Sequence, residues 1–475
     1  MEMITGNISI KEIFLSQEAW IAFWINNALK LRWAILWNVT KMLRCRNGWG
    51  HQIYRCPECN SEKKVPHTCK SRFCSSCGKA HADRWSETAL THILDVEYKH
   101  LYFTIPQEIR IWFLYNRKVM TDVLFTAVKT ALLKYAEKRG FKPGIIMVLH
   151  TFGAAIGWNT HVHIIITAGG LSLDKKTWIK ENVIPHKVIK PMYRYNFLTL
   201  MSEKFKEGKL IVPKKYAHIK TPETLESWFT QFHKKNWFVG LGKTLREADP
   251  KIKYVARYTR RPVIAESRIK NFDGKTVTFE YHDKALNEKM IKTYPVQLFI
   301  KELVQHIPDP NIRIIRNCGI FANRVKTELI KKARIALKQP KPKKHSRLPW
   351  REMIIKTFGI DPLACPKCGS EMLLTDWTIV KSSDVRIDVQ TKHASILNYF
   401  YQIRLGLFPD PLGRFKTSRV LLSFFEKRDT SWALPRGSSF FSSLYFLTNH
   451  SFFILFYVCF LYFIFIRVRT RNSNL

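Results

Sequence analysis

Three groupings of residues in this 475-residue sequence have the types and spacing that chemistry needs. The first is Cys56-Pro-Glu-Cys59 followed by Cys74-Ser-Ser-Cys77, two Cys-x-x-Cys pairs with 14 residues between them. Each pair sets two thiolates on one turn, and two such turns make a tetrahedral sulfur shell that suits Zn2+. Four protein ligands close the shell, so a zinc held there is structural. Cys45, His51, Cys69 and His81 are left over. A ligand exchange through Cys69 and a second metal site both stay open. Cys365-Pro-Lys-Cys368 has the same form without an obvious partner pair, and reads equally as half of a knuckle or as a simple turn.

The second grouping is His161-Val-His163. Two residues apart on a predicted strand, both imidazoles point to one face and Val162 to the other. With one more ligand from a neighbouring strand, the pair leaves coordination positions open to a phosphate oxygen, where a metal acts as a Lewis acid. His150, on the preceding predicted strand, is the candidate third ligand, subject to the register of the hairpin. The third grouping is Tyr254 and Tyr258, four apart and so neighbours on one helix face, amid Lys251, Lys253, Arg257, Arg260 and Arg261. A phenol of ordinary pKa, about 10, needs cations or a metal-bound phosphate beside it to act as a nucleophile. Its product, a phosphotyrosyl link, keeps the energy of the broken phosphodiester for rejoining. Taken singly, each motif has a plainer reading: surface histidines on a strand, and aromatics packing a helix against a sheet.

The elements that must position these groups follow from periodicity. Residues 8–44 carry Ile13, Trp20, Phe23, Trp24 and Leu31 at helical spacing and predict one or two amphipathic helices. Cys45 to Cys77 is too short and polar for a core of its own. Asp83–Glu97 reads as helix, Tyr98–Pro106 as strand and residues 107–140 as a helical pair. Gly144–Thr151 and His161–Thr167 are strand-like runs that pair naturally as an antiparallel hairpin, with Phe152–Thr160 as a long loop. A helix is expected at Tyr254–Arg260, stopped near Pro262. Ile264–Ile269 and Thr276–Tyr281 read as strands around the Asp273-Gly274 turn, and 296–338 as helical with a turn near Pro308. Residues 331–350 hold eight Lys or Arg, no acid and three prolines, the composition of a basic linker.

Charge narrows the partner. Lys and Arg number 78 against 37 Asp and Glu, a formal net charge of +41. Such a chain repels itself unless a polyanion neutralises it, which points to nucleic acid, with an anionic membrane surface as the other candidate. A small acidic substrate does not need so much charge. Hydrophobic residues at 46% and charged residues at 24% exclude wholesale disorder, and the length suggests two to four domains. The first dozen residues show no basic n-region leading into an apolar stretch, so no secretory signal is expected. A reducing, cytoplasmic setting follows, in which clustered cysteines hold metal rather than disulfides.

Together these groupings resemble the zinc-binding, two-tyrosine rolling-circle transposases of bacterial insertion sequences, a branch of the HUH endonuclease superfamily. The resemblance runs from about residue 30 to residue 330. It rests on Lys41-Met-Leu-Arg-Cys-Arg46, Gly50-His-Gln-Ile-Tyr-Arg-Cys-Pro-Glu-Cys59, Ser71-Arg-Phe-Cys-Ser-Ser-Cys77 and Leu149-His-Thr-Phe-Gly153. It continues through His161-Val-His163, Ala168-Gly-Gly170, Tyr254-Val-Ala-Arg-Tyr-Thr-Arg-Arg261 and His306-Ile-Pro-Asp309. It implies an α+β fold, with an antiparallel-sheet HUH nuclease domain behind a small four-cysteine zinc-binding module. It implies that His161 and His163, with His150 as a further candidate, bind catalytic Mg2+ or Mn2+. Tyr254 and Tyr258 would attack DNA in turn, each releasing a 3′-hydroxyl and leaving a 5′-phosphotyrosine. Lys253, Arg257, Arg260, Arg261 and Arg72 are the residues expected to bind DNA, and single-stranded element ends and target the expected partners. Two departures stand out: Asn159-Thr160 where relatives commonly carry His-Pro, and Cys318 where an aromatic is expected.

The expected layout is a helical segment at 1–40, the zinc module at 41–82, the catalytic domain at 83–330, a basic linker at 331–350, a Cys-x-x-Cys segment at 351–380 and a divergent tail at 381–475. In the tail, Phe452–Ile466 is an unbroken apolar run of 15 residues followed by Arg467, Arg469 and Arg471. As a helix it reaches about 22 Å, short of a hydrocarbon core of about 30 Å unless residues from Phe440 join it. DNA, rather than a membrane, remains the expected partner, and a frameshifted end of a decaying element accounts for the tail. Three rivals stand beside the transposase reading, one of them a membrane-anchored basic protein that accounts only for the tail. A plasmid replication initiator or relaxase shares the chemistry but leaves the zinc module unexplained. A non-enzymatic zinc-finger DNA-binding protein leaves the histidine and tyrosine pairs idle.

Overall fold

The first three helices follow from capping and apolar spacing. Ser9 caps α1 (Ile10–Leu15) with a reciprocal box, its hydroxyl accepting the Glu12 N–H at 3.1 Å while the Glu12 carboxylate accepts the Ser9 N–H at 2.9 Å. Gln17 and Glu18, both in left-handed backbone, turn the chain into α2 (Ala19–Asn27), and α3 (Trp33–Leu43) follows. The one or two helices expected over 8–44 are therefore three. The computed structural model describes residues 8–28, 30–90, 93–235, 237–242, 263–283, 286–340 and 348–379, all within one compact unit. Tyr254, Tyr258, Lys253, Arg257, Arg260 and Arg261 lie outside the described residues, as does the tail from residue 380.

After α3 the chain makes a hairpin of β1 (His51–Arg55) and β2 (Glu62–Pro66), then α4 (Ser75–Leu90). This last helix starts ahead of the expected Asp83 because its first turn is polar and cysteine-rich, which hides the apolar period. Gly78 N–H still closes that turn on the Cys74 carbonyl at 2.7 Å.

The centre of the fold begins with β3 (Tyr98–Thr104), α5 (Gln107–Tyr115), α6 (Arg117–Lys138) and the short β4 (Phe141–Lys142). The hairpin β5 (Gly144–Phe152) and β6 (Trp158–Thr167) comes next, then β7 (Gly170–Ser172) and β8 (Trp178–Ile179). Helices α7 (His186–Lys206) and α8 (Pro222–Lys234) lead to β9 (Val239–Leu241). Beyond these lie β10 (Ile269–Phe272), β11 (Thr276–Asp283), β12 (Glu288–Pro295), a helix at Val296–Val304 and β13 (Ile315–Gly319). Helices Lys326–Ala336 and Trp350–Phe358 precede β14 (Leu373–Trp377).

Five of these strands form one antiparallel sheet in the order β13-β5-β6-β3-β9. Period-two alternation divides its residues between two faces. Leu101, Phe103, Met147, Leu149, Val162 and Ile164 pack against the layer of α5 to α8, with Trp112, Phe197 and Trp237 fully buried between. Tyr98, Ile146, Val148 and Ile165 face the other way and meet Leu329, Ile330 and Ala333 of the Lys326–Ala336 helix. Gly169 and Gly170 are explained by backbone packing at the end of β6. A Cβ on Gly169 would lie 2.0 Å from the Ile179 carbonyl oxygen, and one on Gly170 2.2 Å from that of Lys142.

Four expectations change. Residues 296–338 are not wholly helical, because Ile315–Gly319 forms an edge strand of the central sheet. The stretch from Ile264 holds a single 3-10 turn at Glu266–Arg268 before β10 begins at Ile269. The basic stretch beginning at 331 opens inside a helix that runs to Ala336. Residues 351–380 are no separate segment: β14 pairs antiparallel with β1, making a three-stranded ribbon β14-β1-β2. Among the described residues no helix is long and apolar enough to cross a membrane.

Candidate catalytic and metal sites

The β5–β6 register sets His150 opposite His161 and Val148 opposite His163. All three histidines therefore share the sheet face away from α5–α8, and ligand nitrogens from the three lie within 4.8 Å of one another. The ring centroids of His150 and His163 are 4.1 Å apart, and those of His161 and His163 4.9 Å. His161 Nδ1 is 2.8 Å from the Asn159 carbonyl oxygen. A carbonyl only accepts, so Nδ1 carries the proton and Nε2 presents a lone pair.

His163 Nδ1 lies 2.9 Å from Nε2 of His100, whose ring stacks on it with centroids 5.1 Å apart and 7° between planes. His100 is buried on β3 and was not singled out from the sequence. The signal was there: Tyr98-Lys-His-Leu-Tyr-Phe alternates, and a polar His100 on the same face as the buried Tyr98 breaks the pattern. When His163 Nδ1–H donates to His100, His163 Nε2 is also left as a lone pair, the tautomer that can hold a metal.

At the hairpin end, His306 Nε2 donates to the Ile156 carbonyl at 2.8 Å, so its Nδ1 accepts from the Thr151 hydroxyl at 2.9 Å. The ring stacks on Trp158 with centroids 5.4 Å apart. Burial, with the charges of Arg117 and Arg32 nearby, pushes its pKa down to about 4. Asp309 pairs with Arg32, whose guanidinium also donates to the Ile307 carbonyl at 2.8 Å, tying α3's N-terminus to this corner. The His306-Ile-Pro-Asp309 stretch thus locks the β5–β6 loop. Arg72, one of the residues expected to bind DNA, is half-buried and lines a cavity of about 90 Å3 with Arg117, Leu149 and His306, and burial lowers its pKa. A larger groove along β13 and α6 is lined by Lys118, Lys129, Lys142, Arg313 and Arg324, with Arg316 paired to Asp122.

The cysteines assemble differently from the expected Cys56, Cys59, Cys74 and Cys77 set. Two four-sulfur groups form: Cys45, Cys69, Cys74 and Cys77, and Cys56, Cys59, Cys365 and Cys368. The β1–β2 hairpin carries Cys56 and Cys59 at its tip, away from α4, while Cys74 and Cys77 at the start of α4 meet Cys45 just after α3. In the first group the Sγ separations are 3.8 Å for Cys45–Cys77, 3.7 Å for Cys45–Cys74 and 3.6 Å for Cys69–Cys77. A tetrahedron with Zn–S bonds of about 2.3 Å has S···S edges of about 3.8 Å, so four buried thiols at this spacing fit zinc. In the second group the Ser61 hydroxyl, 3.1 Å from Cys365 Sγ, helps to hold that thiol down to about 5.

An antiparallel sheet with three convergent imidazoles on one face, joined to a cysteine-rich module, defines a class: α+β proteins with side-chain clusters suited to holding metal ions. Comparison with known proteins makes the class specific. Residues 16–105 match the family described as "Transposase zinc-binding domain", and residues 144–328 the family described as "Putative transposase". The chain is 30% identical over 373 residues to the transposase for insertion sequence element IS801 of Pseudomonas savastanoi pv. phaseolicola, covering 77% of this chain and 89% of that protein. It is 23% identical over 348 residues to "Putative transposase y4qJ" of Sinorhizobium fredii, covering 71% and 87%. No solved structure matches the chain. The chain belongs to the IS91/IS801-type family of insertion-sequence transposases.

Proposed function

We propose that this transposase nicks and transfers single-stranded DNA through tyrosine nucleophiles, in the manner of rolling-circle HUH enzymes. The observation that supports this most is the triad His150, His161 and His163 converging on one sheet face, with His161 and His163 each hydrogen-bonded at Nδ1. These three residues would hold a divalent cation, which when bound supplies Lewis-acid polarisation of the scissile phosphate. An all-imidazole set suits Mn2+ better than Mg2+, which prefers oxygen ligands.

In this reading Tyr254 or Tyr258 attacks phosphorus through its phenolate oxygen. The new Tyr O–P bond forms as the P–O3′ bond breaks, the DNA 3′-oxygen leaves as a hydroxyl after taking a proton, and the 5′-phosphate stays on the enzyme. Attack by another 3′-hydroxyl reverses the step and completes strand transfer. Lys253, Arg257, Arg260 and Arg261 would neutralise the phosphates around the tyrosines. Two tyrosines allow one strand end to be held while a second is cut. The Cys45, Cys69, Cys74 and Cys77 group, within the zinc-binding domain match, would hold the structural zinc that fixes α3 against α4.

The test is a denaturing gel of purified full-length protein with labelled single-stranded DNA from the flanking element end. A covalent protein–DNA band that requires Mn2+ or Mg2+ is expected with wild type and absent from Tyr254→Phe/Tyr258→Phe. Tight DNA binding with no adduct at any metal concentration would instead support a non-enzymatic DNA-binding protein.

A further inference from the structure

We infer that the chain holds a second structural zinc, in Cys56, Cys59, Cys365 and Cys368, that joins sequence on both sides of the catalytic sheet into one ribbon. Neither family match reaches residues 365–368: the zinc-binding domain match ends at residue 105 and the transposase match at 328. The inference stands apart from the nicking chemistry.

Three observations carry it. Geometry comes first: Cys56–Cys368, Cys59–Cys365 and Cys59–Cys368 sulfurs lie 3.4, 3.5 and 3.6 Å apart, too far for disulfide bonds and close to the edge of a tetrahedral four-sulfur shell. Ligand atoms from all four residues fall within 4.8 Å.

Internal repetition comes second. Cys56-Pro-Glu-Cys-Asn-Ser61 and Cys365-Pro-Lys-Cys-Gly-Ser370 are the same six-residue turn written twice. In each, the first cysteine N–H donates to the serine carbonyl at 2.9 Å, and the fifth residue N–H donates to the first cysteine carbonyl at 3.0 Å. In each, that fifth residue is left-handed, Asn60 at φ 52° and Gly369 at φ 78°. Two copies of one turn, facing each other across a ribbon, supply two thiolates apiece, which is how a closed four-cysteine zinc site is built.

The surroundings come third. Beyond the β1–β14 ladder, apolar burial does little to draw residues 361–377 here. The apolar cluster is small, Tyr54, Cys56, Cys365 and Met372 with Val65 and Leu363 against it. The β14 side chains are exposed throughout. A ribbon with so little apolar burial needs a metal to hold its ends, as small metal-stapled modules do. Arg351 braces the second turn from the side, bonding Asp361 through Nη2 at 2.7 Å and Glu371 at 2.8 Å. Lys63 on β2 donates to the Ala364 carbonyl at 3.0 Å. The consequence is order of assembly: the ribbon is complete only after the chain has passed through the whole catalytic sheet.

Metal analysis of the full-length protein tests this. Two zinc ions per wild-type chain are expected, and one in Cys365→Ser/Cys368→Ser. A wild-type content of one zinc, or an unchanged content in that variant, would overturn the inference. Because the variant can fail to fold, the intact protein gives a second readout. Cys59 and Cys368 are exposed, so in zinc-loaded protein their alkylation by N-ethylmaleimide should be at least tenfold slower than after chelation with EDTA. Equal labelling of Cys368 with and without zinc would refute the site.

Discussion

Replacing His100 by phenylalanine probes whether the His163 tautomer is set by its neighbour. Phenylalanine keeps a planar ring in a position that is 8% exposed and stacked on His163, but removes the nitrogen 2.9 Å from His163 Nδ1. The missing hydrogen bond is worth about 1–1.5 kcal/mol, or about tenfold in a binding constant. That sits at the lower end of the 10–100-fold range typical when a histidine ligand loses its orienting partner. Calorimetric titration of Mn2+ into zinc-saturated protein should therefore show His100→Phe binding about 10-fold more weakly than wild type. His161→Ala should lose the site outright. The rate of adduct formation in His100→Phe should fall at low Mn2+ and recover at saturating Mn2+, the mark of a positioning residue rather than a reacting one. Unchanged Mn2+ affinity in His100→Phe, beside an abolished site in His161→Ala, would refute the tautomer argument.

Further outcomes follow from the same structure. His306 is neutral in the fold, with its pKa held down to about 4. Its contribution to stability is therefore complete above the ordinary pKa of about 6.5 and is lost as pH falls toward 4, by about 2 kcal/mol at pH 5. His306→Gln, which can still donate to Ile156 and accept from Thr151, should lose less of its thermal midpoint than wild type between pH 7.5 and 5; equal slopes would count against this. In the groove along β13, Lys129→Glu with Arg324→Glu should weaken single-stranded DNA binding and lower the salt slope by about 0.7 for each phosphate no longer neutralised. A fluorescence anisotropy series in salt checks this, and an unchanged slope would place the DNA elsewhere.

The central sheet was legible where one physical period ran long enough. His161-Val-His163 inside an apolar run declares both a strand and a shared face, and Gly144–Thr151 ahead of it makes an antiparallel partner that brings His150 alongside. The helical pair at 107–140 was equally plain, since α5 and α6 bury Ile109, Trp112, Met120, Leu124 and Val128 at helical spacing. Short or two-sided strands were not. β13 spans only Ile315–Gly319 between helices, and β12 sets apolar Met290 and Ile291 side by side among charged residues, so neither sequence shows clean alternation. The cysteine partition was hidden for another reason. Proximity in sequence favoured joining Cys56 and Cys59 to Cys74 and Cys77, whereas the β1–β2 hairpin carries the first pair off and a turn more than 300 residues later completes it. The matching Cys-Pro-x-Cys-x-Ser turns were the available clue. His100 was missed because a single buried histidine on a strand has only a faint local signature; its register beside β6 is what brings it against His163.

The central claim, tyrosine-mediated strand transfer, is tested most directly by mapping the covalent adduct. Full-length protein incubated with Mn2+ and an element-end oligonucleotide, then digested with nuclease and trypsin, is read by tandem mass spectrometry. The account predicts a 5′-phosphonucleotide on Tyr254 or Tyr258, absent from His161→Ala/His163→Ala. A modification on any other residue, or none on either tyrosine while strand transfer proceeds, would contradict it.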